Sequence, residues 1–454
     1  MLTVLLSAAA WAGSISAPGI HAGPDASAAT PGAHAVVYNP AALSAQPVRE
    51  LLVDTQLAWV RAELTTTRND GIDPNTDAPY APAQASVASA VGYVAIAAPL
   101  IPGRLGGGLS VHNPFTGGAS YLKNEPDPDS VFTGHQRYHG VRSILASLAV
   151  TGALGARVGE GVHLGLSGAW YIDYATILRA ARVTGDEGAP DYSNDVILSG
   201  SAVGGHPGAS AGIYVDRWPR LRLGASVQWS GTFRAQGGSG EVSVPGSFTD
   251  SGQREVLPLG FGITFPLAPV VRLHASAPIG EGEVGVGWEN QLWNLCCGDA
   301  DGDIVASIAS ADGDALGAED GLALEISETI YSPRRLWNAN TVFVQGSRPL
   351  NDWHLSGQAR YNQFAVPDYA VSASNLDFDT IILQLAGRRE VREGLSLGLS
   401  YSRIFLLSRT ITDSAWNLGD GNARFSPAAP ATTSGVGTYQ ASADLLGVQL
   451  RRRW

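Results

Sequence analysis

Residues 221–234 read Leu-Arg-Leu-Gly-Ala-Ser-Val-Gln-Trp-Ser-Gly-Thr-Phe-Arg. Side chains of a strand point alternately to opposite faces. Leu221, Leu223, Ala225, Val227, Trp229 and Phe233 therefore share one face, and Arg222, Gly224, Ser226, Gln228, Ser230, Thr232 and Arg234 share the other. Strands of soluble proteins commonly stop after about 5–6 residues, whereas a tilted strand needs about 9–11 to cross the hydrocarbon layer. A fourteen-residue ribbon with one greasy and one wet face predicts a strand that spans a membrane.

The pattern recurs to the end of the chain. Val162, Leu164, Leu166, Trp170, Ile172 and Tyr174 alternate with His163, Gly165, Ser167 and Asp173. Trp353, Leu355, Ala359 and Tyr361 alternate with polar residues, as do Leu395, Leu397, Leu399, Tyr401 and Phe405. The final ribbon carries Leu446, Val448 and Leu450 on its greasy face and finishes on Trp454, with Arg452 close enough to the end to lie in the interface.

Composition narrows the class. The chain has 454 residues, of which 15% are charged, and a net charge of −12, which argues against nucleic acid as a partner. No apolar run reaches the roughly 18 residues of a membrane helix. The nearest, Ala88 to Ile101, is broken by Pro99 and reads as a lipid-facing strand of small residues. Residues 1–12 read as an export signal, with Ala10 and Ala12 before the cleavage point at Gly13, although the stretch is short and lacks Lys or Arg. Cys296 and Cys297 are the only cysteines and are adjacent, which is no disulfide framework and leaves a vicinal disulfide and a thiol pair both open.

Fourteen strands are predicted, near 50–66, 86–98, 105–121, 136–157, 162–177, 201–215, 221–236, 256–277, 283–294, 338–347, 353–364, 378–390, 395–411 and 437–454. Tight turns such as Pro102-Gly103-Arg104 and Arg392-Glu393-Gly394 alternate with long polar loops such as 178–200 and 295–337. Short turns at one end and long loops at the other are the layout of a bacterial outer-membrane barrel with both termini periplasmic. An even count fits, since in lipid every backbone group must be paired and the sheet must close. Trp218, Trp288, Trp293, Trp337 and Trp353 fall at or near strand ends, where amphipathic rings prefer the headgroup level. The expected architecture is all-β: a 14-stranded transmembrane antiparallel barrel over 50–454, with residues 13–49 as an N-terminal plug inside it.

Several local patterns, in matching order, resemble the FadL-type long-chain fatty-acid transporters and their relatives that pass aromatic hydrocarbons. They are Asn39-Pro40-Ala41-Ala42-Leu43, Gly106-Gly107-Gly108-Leu109 through Asn113-Pro114-Phe115, Tyr138 to Ser143, Pro333 to Trp337, Val366-Pro367-Asp368, Asn375 to Asp379, and Phe405 to Arg409 with Ser414 beyond. The resemblance implies a lumen blocked by an N-terminal hatch and a kink in the third strand that opens the wall sideways to lipid. Pro114 fits such a kink, because proline has no N–H to give the ladder. By resemblance, Asn113, Pro114 and Phe115 mark the opening, and Asn39, Pro40 and Ala41 are the hatch element facing it. Members of the family carry an aromatic residue near the mature N-terminus that enters the pocket; here Ile15 is the only bulky candidate.

Arg222, Arg234, Arg360 and Arg388 are expected to project into the lumen, either to meet a fatty-acid carboxylate bidentately or to join a polar network with acids such as Asp173. The expected function is passive transport of hydrophobic small molecules, without catalytic residues or cofactor. The expected partners are the cargo, outer-membrane lipid and lipopolysaccharide, and the barrel-assembly machinery, with the barrel itself a monomer. Asp299-Ala300-Asp301-Gly302-Asp303 resembles the front of a calcium loop, but Ser310 stands where the last ligand should be Glu, so no metal is assigned. Two alternatives remain: a structural or secretion-associated plugged barrel, and a lipid hydrolase. The latter needs a Ser-His-acid constellation, which the spacing of His139, His163 and His274 does not display.

Overall fold

Alternation of this length builds a sheet whose first and last strands meet. In the computed structural model, β1 (Glu50–Thr66) pairs antiparallel with β18 (Gly437–Arg453) on one side and with β2 (Ala83–Ile101) on the other. The described residues are 24, 26–66, 83–120, 141–182, 195–246, 251–296, 304–310, 328–332, 336–371, 376–412 and 436–454. The wall continues through β3 (Leu105–Ser120), β4 (Arg142–Gly159), β5 (Val162–Arg182) and β6 (Asp195–Trp218). After these come β7 (Leu221–Trp229), β8 (Thr232–Val244), β9 (Glu255–Pro266) and β10 (Val270–Ile279). Next are β11 (Gly282–Gln291), β12 (Ile304–Ser310), β13 (Glu328–Ser332) and β14 (Ala339–Leu350). β15 (Trp353–Asn362), β16 (Thr380–Arg392) and β17 (Leu395–Ile411) complete it.

These eighteen segments make fourteen crossings. β6 is long enough to pair with β7 along Ala209–Trp218 and with β8 along Ile197–Gly204, so β7 and β8 are two lengths of one crossing. β9 and β10 likewise face β8 and β7 in turn, and β11–β12 and β13–β14 repeat the arrangement. Closure joins the first strand to the last, so the ladders satisfy the backbone without water almost everywhere, as a hydrocarbon surrounding demands.

The opening segment is the exception to its own pattern. The alternation holds from Leu221 to Trp229, then the chain breaks at Ser230-Gly231, where Gly231 takes φ +71°. The break changes the parity. Phe233, expected on the lipid face, is buried in the lumen together with Ala235, and Arg234, expected inside, is exposed outside.

Elsewhere the outward face is as expected. Leu109, Val150, Leu154, Leu164, Leu166, Val286, Leu385, Leu399 and Val448 are exposed there, a band of side chains suited to lipid rather than water. Trp218, Trp337 and Trp353 are half exposed near strand ends, but Trp293 is buried and turned inward.

The lumen is zoned. Toward the long-loop end two groups of inward side chains are apolar: Val60, Leu64, Ile382, Ile404, Leu406 and Tyr439 form one cluster, and Phe233, Phe261, Ile263 and Phe265 another. Loop residues Val366, Val371, Leu376 and Phe378 fold in to join the first. Between these clusters Asn290, Thr341, Asn362 and Thr380 keep the wall polar up to the long loops, so the inner face is mixed there and polar toward the short turns. Within that lower part lies the N-terminal segment: Ala28, Ala29, Ala33, Ala35, Val36, Asn39, Ala41 and Ala42 have no exposed surface.

Candidate functional site

The β2–β3 ladder starts at the Pro102–Arg104 turn and ends at Tyr93 opposite His112. Both strands go on, β2 back to Ala83 and β3 to Ser120, but no pairing joins them there among the described residues. On its other side β3 pairs His112 with Ala149 and next Phe115 with Ser147, so Asn113 and Pro114 together oppose one residue of β4. That is a β-bulge, which bends a strand and increases its twist. Pro114 has no N–H to offer β2, while the Asn113 Oδ1 accepts the Gly92 N–H at 3.0 Å and caps the ladder where it stops. Above this point the wall is parted. Ser89 and Thr116 flank the parting with buried hydroxyls that have no hydrogen-bond partner among the described residues.

The foot of the parting rests on the N-terminal segment. Tyr93 donates its hydroxyl to the Ala33 carbonyl at 3.0 Å, and its ring lies 5.8 Å from that of His112. Beyond Ala33 a single helical turn (Ala35–Tyr38) leads to a 3-10 turn, Pro40–Ala45. Asn39 starts the latter. Its Oδ1 accepts the Ala41 N–H at 3.2 Å and its Nδ2 donates to the carbonyls of Ala28 at 2.8 Å and Ile213 at 2.9 Å. One side chain thus caps a turn, folds the segment on itself and fastens it to β6.

The turn fits because the wall beneath it has no side chains. Gly106, Gly155, Gly165 and Gly212 lie directly opposite one another across β3, β4, β5 and β6. A Cβ at these positions would sit 1.9 Å from the Leu43 carbonyl oxygen, 2.3 Å from that of Pro40, 2.2 Å from the Ala41 nitrogen and 2.0 Å from Asn39 Oδ1. Asn39, Pro40 and Ala41 are therefore seated on β4–β6, while Ala33 and Val36 stand at the foot of the parting. The glycine row thus fixes the Asn-Pro-Ala turn against β4–β6, with Leu43 of the same turn against Gly106 of β3.

No protein-family model matches the chain, and no curated protein sequence does. Among solved structures, a FadL homologue from Pseudomonas aeruginosa is 15% identical, covers 99% of each chain and superposes with a TM-score of 0.72. The chain has the FadL fold. The Pseudomonas putida toluene transporter TodX is 13% identical over 93% of this chain and 94% of its own, at a TM-score of 0.64. The Ralstonia pickettii toluene transporter TbuX is 14% identical over 96% and 98%, at 0.58.

Within this FadL fold, a charged layer lies between the apolar clusters and the N-terminal segment. Arg360 donates to Glu289 Oε1 at 2.8 Å, and His274 faces the same oxygen at 3.4 Å while its Nδ1 accepts the Ala28 N–H at 2.7 Å. Arg272, 1% exposed, reaches Gln228 at 2.8 Å and lies over the Tyr38 ring. Nε and Nη1 of both Arg272 and Arg360 are buried without a hydrogen-bond partner among the described residues. Arg360 was expected here. Arg272 was missed, although it stands at the second alternate position of Val270–Ile279 and parity could have found it.

The remaining expectations divide. Arg222 points inward and pairs with Glu283, and Arg388 lines a cavity at the short-turn end. Asp173 is buried inside, bound to His206 at 2.6 Å, to Ser147 at 2.6 Å and to the backbone N–H of Arg234 at 2.8 Å. Ile15, the Tyr138–Gly140 stretch, Cys297, Asp299–Asp303, Pro333–Arg335, Asn375 and Ser414 lie outside the described residues. β12 occupies what would be the last seven positions of the calcium-like loop, and no metal-ligand cluster occurs among the described residues.

A Ser-His-acid contact does occur: Ser44 Oγ is 2.7 Å from His163 Nδ1, whose Nε2 is 3.3 Å from Asp216. Ser44 donates its proton to the Ala41 carbonyl at 2.9 Å, so toward His163 it accepts. It is buried between segment and wall and ties one to the other. Arg409 does similar work at the far end. It donates to the carbonyls of Val366 at 3.0 Å and Asp377 at 2.8 Å, pairs with Asp368, and holds loop 363–379 in the lumen.

Proposed function

We propose that the protein belongs to the FadL-type channels of the bacterial outer membrane and passively admits hydrophobic small molecules, with both chain ends in the periplasm. Residues 13–49 act as the plug and residues 1–12 as its export signal. Cargo partitions into the apolar chamber under the long loops, where burying apolar surface stabilises it by about 25 cal/mol per Å². The plug and the charged layer deny it an axial route. It leaves sideways between β2 and β3, over Asn113-Pro114-Phe115, into the bilayer core.

The observation that carries this reading is the parted wall: two strands that go on beyond Tyr93 and His112 with no pairing between them among the described residues, at a proline bulge, near the apolar cluster that reaches Ala85. Backbone groups left unpaired in lipid cost several kcal/mol each, so a parting there needs a use. Replacing Asn113, Pro114 and Phe115 by a β-branched run that pairs in register should leave the barrel folded and abolish uptake of a labelled hydrophobic probe. Unchanged uptake in a folded variant would defeat the reading.

The resemblance to FadL-type transporters allows fatty acids, and the likeness to toluene transporters allows monoaromatics. Arg272 and Arg360 separate them. If the cargo is a fatty acid, their open donors meet its carboxylate, and Arg272→Gln should weaken fatty-acid binding while leaving toluene uptake intact. If the cargo is a neutral hydrocarbon, neither changes. Native mass spectrometry of co-purified lipid would identify the natural cargo.

A further inference from the structure

The outward face carries an apolar groove of about 1170 Å³ across β2–β6, between the foot of the parting and the short turns. Leu100, Leu109, Leu154 and Leu166 stand exposed along it as walls. Its floor includes Gly152 on β4 and Gly168 on β5, which lie directly opposite each other. A Cβ on Gly168 would meet nothing within 4 Å, and one on Gly152 only Leu109 Cδ2 at 3.5 Å. No described part of the chain therefore calls for glycine at either position. Glycine inside a strand weakens it, and it marks places where a ligand comes close. At the foot of the groove the short turns carry Arg104, Arg157, Arg217 and Arg220, all exposed. These turns adjoin: the Arg157 N–H donates to the Arg104 carbonyl at 2.8 Å, and the Asp216 N–H to that of Gly161 at 3.0 Å. Two carboxylates stand among them, Glu160 and Asp216, and Asp216 faces His163 at 3.3 Å. None of the four guanidinium groups is in an ion pair among the described residues. Trp218, half exposed beside Arg217, is the amphipathic ring expected at headgroup level.

We propose that this groove binds an anionic glycerophospholipid, with an acyl chain laid over Gly152 and Gly168 and the phosphate held by the arginines below. Tail and head then meet an apolar floor and a basic rim in the order in which a lipid presents them. A chain in a groove touches protein on three sides, where a flat wall offers one, and dispersion contacts add up accordingly. Guanidinium forks match phosphate oxygens bidentately. A lipid held there braces β2 to β5 below the point where β2 and β3 part. The inference rests on the orientation proposed above, which places the groove in the leaflet that an outer membrane builds from phospholipid. It is independent of what the barrel carries.

The test is native mass spectrometry of the purified full-length protein in detergent, titrated with phosphatidylglycerol and, in parallel, with diacylglycerol of the same chains. This readout works whichever way the barrel faces and whatever it transports, so its failure is distinct from failure of the transport reading. Saturable binding of phosphatidylglycerol is expected, with diacylglycerol about tenfold weaker for want of the phosphate. Arg104→Gln with Arg217→Gln should weaken phosphatidylglycerol about tenfold and leave diacylglycerol unchanged. Gly168→Leu fills the floor on a face already rich in leucine, and should weaken both lipids. Arg389→Gln, exposed beside Asp352 and outside the groove, is the folded control and should bind as the wild type does. Equal affinity for phosphatidylglycerol in the wild type and both groove variants would overturn the site. Equal binding of the two lipids would overturn the headgroup assignment. Displacement of phosphatidylglycerol by an equal concentration of oleate would overturn the phospholipid assignment in favour of released cargo.

Discussion

Gly165 and Asp377 show how much single residues decide. A Cβ at Gly165 would sit 2.2 Å from the Ala41 nitrogen and 2.3 Å from the Pro40 carbonyl carbon, and backbone on both sides has nowhere to move. Gly165→Val should leave the barrel intact, because the strand itself tolerates valine, yet prevent the plug from seating. Ion conductance in planar bilayers should then rise toward that of a barrel lacking residues 26–46. Asp377 sits in loop 363–379. Its carboxylate accepts the N–H groups of Ala365 at 2.5 Å, Phe378 at 3.0 Å and Val366 at 3.3 Å, yet burial pushes its pKa up from 3.8 to about 7. A raised pKa means the docked loop binds the proton more tightly than the open one. Docking is therefore strongest below pH 3.8 and weakens as pH rises through 7. Loop opening, read by hydrogen exchange of 364–379, should rise about tenfold per pH unit over that window and level off above it. Asp377→Asn should flatten the dependence.

The elements were legible to the extent that lipid enforces their pattern. Outside the barrel every second residue must be apolar, so the greasy faces of β5, β15 and β17 stand out in the sequence and are exposed as read. Inside, no single solvent imposes a rule. The inward face is polar beside the N-terminal segment and mixed above it, and where Phe233 and Ala235 are inward, alternation alone could not assign the side. The break at Ser230-Gly231 was hidden for a related reason: both faces still alternate across it, and only a backbone conformation marks the change of parity. Gly231 has φ +71°, and a Cβ there would lie 2.7 Å from the Pro207 carbonyl oxygen. Gly231→Val should lower stability to urea by roughly 1–3 kcal/mol, the usual cost of such strain, whereas Gly168→Ala, with open space around it, should not. The bulge at Asn113-Pro114 was legible because a proline inside a long strand interrupts the ladder wherever it falls.

At the scale of the whole molecule, three features belong together: apolar clusters toward the long-loop end, an N-terminal segment seated on a row of glycines, and a wall in which β2 and β3 part among the described residues. The strand count followed from the alternation and the turn-and-loop rhythm, whereas an N-terminal segment inside the barrel was implied by the family resemblance. The glycine row and the charged layer of Arg272, Arg360 and Glu289 did not, since they depend on which strands lie side by side and at what height. Ser89 and Thr116 flank the parting, and bridging them tests its role most directly. In a background with Cys296→Ser and Cys297→Ser, the pair Ser89→Cys and Thr116→Cys can be joined by a short cleavable dithiol-reactive linker. Uptake of a labelled hydrophobic probe should stop when the linker closes the parting and return when it is cut, with small-ion conductance unchanged throughout. Uptake that continues with the strands joined would contradict lateral release.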